Sequence, residues 1–221
     1  MLMTKFQFKS QETIPLRQKI ATDIRNAIIQ GDLKPGTKLK EQEISEQMGI
    51  SRGPVREALR DLEAMGLVVS LPYKETVVAD VQKEEIVDLL LPIRLQLELY
   101  AIKYSLDHLD EDIIRTLEAI AERMEEFAAS GNIAGLVEED IQFHEKILFI
   151  HSDSTYTQQV WAGIVNRMRL HFMKNTSRYS DLARMPAEHK QLIEALQSRD
   201  FVRIKEAWEK HIRDEDCLLY L

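Results

Sequence analysis

Cysteine is nearly absent: Cys217 is the only one in 221 residues. A lone thiol excludes an internal disulfide and any paired-cysteine metal site, and it suits a reducing compartment. Glycine and proline are few, at 8 and 6, so a globular, helix-rich chain is expected. No apolar run approaches the ~20 residues of a membrane span, and the opening "MLMTKFQFKSQE" has neither an apolar signal core nor a cleavage site. The expectation is a soluble, cytoplasmic protein with no membrane partner. Repeats and low-complexity tracts are missing too. No nucleophile motif, phosphate loop or placed general base speaks for an enzyme.

What is there is unevenly charged. The chain is 44% hydrophobic and 30% charged, with a net charge of −8. Residues 1–80 carry 12 Lys and Arg against 11 Asp and Glu, a net of +1, so residues 81–221 hold −9. A near-neutral front and an acidic back imply two domains with different partners, at 1–80 and 81–221.

"IPLRQKIATDIRNAIIQGDLKPG" reads as a helix from Pro15, with Leu16, Ile20, Ile24, Ala27 and Ile28 as its apolar stripe and Gly31 as its stop. A short helix follows over Glu41–Met48. Gly49, Ile50 and Ser51 then separate it from a third helix, which Ser51 caps and Gly66 ends. "LVVSLPYKETVVADV" gives two β-branched runs about a turn, hence a hairpin. Helix, tight turn, helix, hairpin is a winged helix-turn-helix. From Val81 the pattern is helical throughout, with helices expected near 83–107, 110–129, 132–150, 155–177, 186–198 and 200–219. Pro92 should kink or split the first of these. The fold class is therefore mainly α: a winged helix-turn-helix, then an all-α bundle.

Two constellations carry chemistry. Arg52, Arg56 and Arg60 stand at steps of four on one face of the third helix. Taken alone, such a triplet reads as a salt-bridged surface, since Glu57, Asp61 and Glu63 interleave with it. The turn before and the hairpin after favour DNA instead, because a guanidinium donates two bonds to the major-groove edge of guanine. In the back half, Asp140 and His144 share a helix face at i, i+4. His189 and His211 fall on the last two helices. A carboxylate and three imidazoles suit a divalent ion, but spacing alone leaves scattered ordinary histidines as the stronger reading. His108, His151 and His171 stand outside the set. Tyr100, Tyr104, Phe143 and Trp161 are expected to line core or cavity.

"GDLKPGTKLKEQEISEQMGISRGPVREALRDLEAMGLV" closely resembles the N-terminal winged helix of the GntR family of bacterial transcription regulators, over about residues 12–79. The resemblance implies operator contacts by Ser51, Arg52, Gly53 and Arg56. Gln42 stands where some relatives carry a DNA-contacting arginine. Glu75 stands where the wing tip usually has glycine, leaving Lys74 as the basic wing residue. Residues 83–221 resemble the helical FCD effector domain of the FadR-type subfamily, and the six-helix count resembles its VanR-like branch. That resemblance implies that Asp140, His144, His189 and His211 bind a divalent metal: Zn²⁺ or Ni²⁺ first, Mn²⁺ or Fe²⁺ next. "IRLQLELYA" resembles the family's "VRxxLExxA" segment and places Arg94 beside the metal, where its fork suits a carboxylate. An internal pair with Glu98 at i+4 is the structural alternative.

The leading expectation is a homodimeric, DNA-binding transcription regulator, a repressor of a two-fold symmetric operator. A small organic acid bound at the metal site would control it. The competing readings are a metal-dependent enzyme that uses the Asp/His set, and a DNA-binding protein with a purely structural metal.

Overall fold

The structure, a computed structural model, describes residues 15–71, 75–150, 155–176 and 181–213. Its first helix, α1 (Leu16–Ile29), follows Pro15, whose missing N–H costs nothing at a helix start. Ile20, Ile24 and Ile28 are buried, whereas Leu16 at the head of the expected stripe is exposed. Helix α2 (Glu41–Met48) ends at Gly49, which takes the left-handed conformation at φ 65°. The amides of Gly49 and Ile50 turn back onto the carbonyls of Glu46 and Ser45, closing the helix end that a side chain would strain.

Helix α3 (Arg52–Ala64) starts three residues later. Val55, Ala58, Leu59 and Leu62 face inward, so Arg52, Arg56 and Arg60 point to solvent. Ser51 holds the N-cap position in extended conformation, but its hydroxyl makes no capping bond. That corrects the capping role expected of it. Strands β1 (Val68–Leu71) and β2 (Glu75–Val78) pair antiparallel, from Val68 opposite Val78 to Leu71 opposite Glu75. Glu75 thus opens the second strand and accepts a hydrogen bond from Lys38 Nζ at 2.9 Å. The tip itself, with Lys74, lies outside the described residues.

The expected kink at Pro92 takes another form. Helix α4 (Lys83–Glu85) runs into a π-helical turn, Ile86–Leu90, and then into α5 (Leu91–Ser105). The backbone stays in the right-handed helical region at Glu85, Leu90 and Leu91. Proline has no N–H and its ring crowds the preceding turn; widening that turn relieves the crowding without breaking the helix.

The bundle continues with α6 (Glu111–Ser130), α7 (Ile133–Leu148), α8 (Thr155–Thr176), α9 (Arg184–Gln197) and α10 (Phe201–Ile212). Polar caps start several of them. Asp110 accepts from the Ile113 amide, Asn132 from Gly135, and Asp200 from Val202. The apolar side chains gather in two clusters. One joins α1, α3 and the hairpin around Ile20, Val55, Leu62 and Val78. The other fills the bundle around Leu95, Met124, Phe143, Trp161 and Trp208. Leu170 of α8 packs against both.

Helices α6 and α7 approach closely because Gly135 has no side chain. A Cβ there would stand 2.6 Å from the Phe127 ring. Gly163, exposed on α8, meets nothing within 4 Å. Gly135→Ala should therefore destabilise the protein by about 1–3 kcal/mol through overpacking. Gly163→Ala should be neutral or stabilising by up to about 1 kcal/mol. Urea unfolding of both variants is the check, and equal effects would contradict the packing described.

Candidate metal centre and recognition helix

Four helices deliver the bundle's polar core. From α5 come Arg94 and Glu98, from α7 Asp140 and His144, from α9 His189, and from α10 Trp208 and His211. Arg94, Glu98, Asp140, His144 and His189 are all buried. One potential ligand atom from each of Asp140, His144, His189 and His211 lies within 4.8 Å of the others. The structure thus brings together the four residues that sequence had grouped.

The hydrogen bonds decide what these groups offer. His144 Nδ1 lies 2.7 Å from Glu98 Oε2, and a carboxylate only accepts, so Nδ1 carries the proton. Its Nε2 is buried with no hydrogen-bond partner. His189 Nδ1 lies 2.8 Å from the carbonyl of Met185, which also only accepts. In its neutral form His189 therefore presents Nε2 as a lone pair, 3.2 Å from Asp140 Oδ1. Two lone pairs facing a carboxylate repel unless a cation sits among them. Asp140 Oδ2 and His211 Nδ1 are likewise buried without a hydrogen bond, and Glu188 stands 3.4 Å from the latter. This donor set fits a divalent ion, and the bonds behind it are those that orient metal-ligating histidines.

Charge is set in the same way. Burial alone would raise the Glu98 carboxyl, but His144 and Arg94 outweigh it and bring its pKa to about 2. Asp140 is also held well below the usual carboxylate range, by His189 and Arg94 against its burial. Burial, then Arg94, lowers His144 to about 4. Burial lowers His211 as well, against the nearby Glu188 carboxylate, which raises it. The ring that sequence set aside, His171, is buried beside this core and also lowered to about 4, by burial and then by Arg94 and Lys174.

Arg94 adopts the internal pairing named as its structural alternative, with Nε 2.8 Å from Glu98 Oε1. Nη2 is 3.9 Å from Asp140 Oδ2, and the guanidinium sits 5.2 Å from the centre of the Phe172 ring. Of the aromatics expected in the core, Phe143 and Trp161 are there. Tyr100 and Tyr104 are not: they stand 56% and 59% exposed on the outer face of α5. Sequence reasoning did not find Trp208, whose Nε1 donates to Glu98 Oε2 at 2.8 Å, nor the Met185 carbonyl. Trp208 has no local spacing signal, since it lies 110 residues from its partner, and the Met185 carbonyl, four residues before His189, is a backbone atom that no residue type marks.

On α3, Arg52 reaches Glu41 at 3.2 Å and Arg60 reaches Glu57 at 2.9 Å. Arg56 has no carboxylate partner among the described residues. A Cβ on Gly53 would meet nothing within 4 Å, so nothing inside the fold requires glycine there. No helix among the described residues is long and apolar enough to cross a membrane.

Comparison with known proteins adds a context. The family described as bacterial regulatory proteins, gntR family, matches residues 16–78, and the FCD domain matches residues 89–214. The chain is 26% identical over 187 residues to the gluconate operon transcriptional repressor of Bacillus subtilis (strain 168), across 82% of this chain and 76% of that one. It is 27% identical over 203 residues to a probable D-xylose utilization operon transcriptional repressor of Paenarthrobacter nicotinovorans, across 89% and 87%. The solved structure of E. coli McbR/YncC superposes with a TM-score of 0.76, covering 94% of this chain and 98% of that one at 22% identity. At that identity the likeness speaks for the fold.

The metal-free centre predicts an acid-labile protein. A histidine neutral in the fold down to pH 4 but titrating near 6.5 when unfolded makes the unfolded chain bind more protons between those values. Stability is thus complete above pH 6.5 and falls as pH drops to 4, by about 3 kcal/mol for each of His144 and His171. Glu98, at about 2 against 4.5 unfolded, extends the loss below pH 4.5. Urea unfolding with chelator from pH 7.5 to 4 checks this, and a flat profile would refute the buried neutral imidazoles.

Proposed function

The chain belongs to the gntR-type bacterial transcription regulators that carry an FCD domain, and from that premise we propose that an organic acid held at a metal centre controls its DNA binding. It is a DNA-binding transcription regulator and not an enzyme. The proposed division of labour is 1–80 for operator DNA and 81–221 for metal, effector and dimerisation, with the protein acting in the cytoplasm. Dimers are typical of the family. Here the half-exposed Leu89 of the π-helical turn and Tyr100 and Tyr104 of α5 offer apolar surface for a second copy. A two-fold operator follows from a two-fold protein.

The observation that carries the effector reading is the convergence of the bare His144 and His189 Nε2 atoms on Asp140, beside Arg94. Asp140, His144, His189 and His211 would hold the ion, Zn²⁺ or Ni²⁺ before Mn²⁺ or Fe²⁺. When bound, it supplies positive charge and coordination positions for a ligand oxygen. The charge balance names the ligand class. With the ligating imidazoles in the neutral form that coordination requires, Glu98 and Asp140 anionic and Arg94 cationic, the buried set alone carries −1. With a divalent ion it carries +1, which a monocarboxylate neutralises. Arg94 is the side chain placed to recognise that anion. A purely structural ion is the second reading, favoured by Arg94 already facing Glu98.

The test is metal analysis of the purified protein and of His189→Ala, followed by operator binding with candidate carboxylates. We expect one divalent ion per chain, lost in His189→Ala, and an acid that shifts operator affinity in the parent alone. Equal metal in both proteins removes the site. Metal loss with no acid response in either protein leaves the ion structural.

For the DNA face, the proposed contacts are Ser51, Arg52, Gly53, Arg56 and, in the wing, Lys74. Arg56→Ala and Arg52→Ala should each cost about 1–3 kcal/mol of specific operator binding, with the melting temperature unchanged. Gly53→Leu should be as damaging on DNA and as harmless to the fold, because only a docked partner would fill that space. Gel-shift titrations settle it; parental affinity in all three would displace the docking face.

A further inference from the structure

Arg167, on α8, touches the end of the recognition helix, the inter-domain connection and the first turn of the bundle together. Its Nε donates to Glu85 Oε1 at 2.8 Å, and its Nη2 donates to the other carboxylate oxygen, Oε2. Nη1 donates to the carbonyl of Gly66 at 3.1 Å, and Nη2 also donates to the carbonyl of Asp80 at 3.1 Å. The side chain is 16% exposed. Its stem lies on Gly66, where a Cβ would stand 2.8 Å from the Arg167 Cδ. Gly66 has φ +72°, so close approach and backbone conformation both demand glycine. The Gly66 carbonyl lies just past the C-terminal end of α3, where the helix dipole favours a cation.

We infer that Arg167 is the positioning residue that sets the angle of the winged helix on the bundle, and so the aim of α3 at DNA. This rests on the regulator identity and not on the metal. Only a guanidinium fits: its planar fork serves a carboxylate and two carbonyls at once, whereas a lysine ammonium is a single point. Other contacts keep the two parts together without fixing their angle. Lys174 reaches Asp80 at 3.2 Å, and Leu170 packs against both apolar clusters. Loss of Arg167 should therefore loosen the orientation of the head and leave it attached.

The experiment measures that orientation directly. Spin labels go on Gln47→Cys in α2 and Glu122→Cys in α6, both exposed, in a Cys217→Ser background diluted with unlabelled chain. Pulsed electron resonance should give one narrow distance distribution for the parent and at least a twofold broader one for Arg167→Ala. Arg167→Lys should broaden it too, because retained charge does not replace the fork. Affinity for an operator selected on the parent from random DNA should fall tenfold or more in Arg167→Ala, with helix content unchanged. Glu85→Gln keeps the shape of its partner and guards against a variant that fails to fold; it should broaden the distribution in the same direction. A narrow distribution with parental operator affinity in Arg167→Ala and Glu85→Gln would overturn the inference. So would full rescue by Arg167→Lys.

Discussion

The carboxylate of Glu98 accepts from Arg94 on its own helix, from His144 on α7 and from Trp208 on α10, and it is wholly buried. An isolated charge in that position would cost several kcal/mol or would neutralise itself. Three donors and one full positive charge make ionisation the favoured state instead, and the ionised state dictates the rest. Because Glu98 can only accept, His144 must place its proton on Nδ1. Because Nδ1 is spent, Nε2 faces inward as a base. The same constraint fixes Trp208, and with it the register of α10 against α5. A single buried anion thus chooses a tautomer, a helix register and the direction in which the neighbouring imidazole can bind.

Arg94 is the counterweight. It neutralises Glu98, lowers Asp140 and also helps keep His144 and His171 uncharged. A second cation in the same pocket, an imidazolium, would be repelled by it. The core is therefore poised: acidic enough to attract a metal, yet with His144 and His211 biased toward the neutral form that coordination requires. The π-helical turn before Pro92 lies at the head of α5, one turn from Arg94. The widened turn there places Arg94 and Glu98 on the inner face while leaving Leu89, Tyr100 and Tyr104 outside.

Much of this was legible in the chain because its signals are local. Gly49, Ile50 and Ser51 mark the turn between α2 and α3, and apolar stripes give the helices. Asp140 and His144 declare a shared face by their spacing. Signals that span the fold left no such trace. Glu98 was visible only as an i+4 partner for Arg94, not as the acceptor of bonds from residues 46 and 110 positions away. Tyr100 and Tyr104 were misplaced because aromatic residues usually go inside, and an exposed apolar helix face reads as core. Ser51 has the right type and backbone for a cap, yet its side chain faces solvent beside Arg52. Periodicity locates elements; which atoms meet between them is a tertiary fact.

Helix α8 joins the polar core of the bundle to the winged helix. One side carries Phe172 beneath the Arg94 guanidinium, and the other carries Arg167, Leu170 and Lys174 against the winged helix and the inter-domain connection. Arg94 cannot be drawn toward a bound anion without changing its place over that ring. A helix is stiff along its length, so a displacement of Phe172 would carry Arg167, one and a half turns away, with it. The free energy available for such coupling is only the difference in ligand affinity between two placements of α8. The α1–α3 core need not rearrange for that difference to reach α3. It needs only a firm hold on Gly66, and a guanidinium bonded to the carbonyl at the end of the recognition helix provides one.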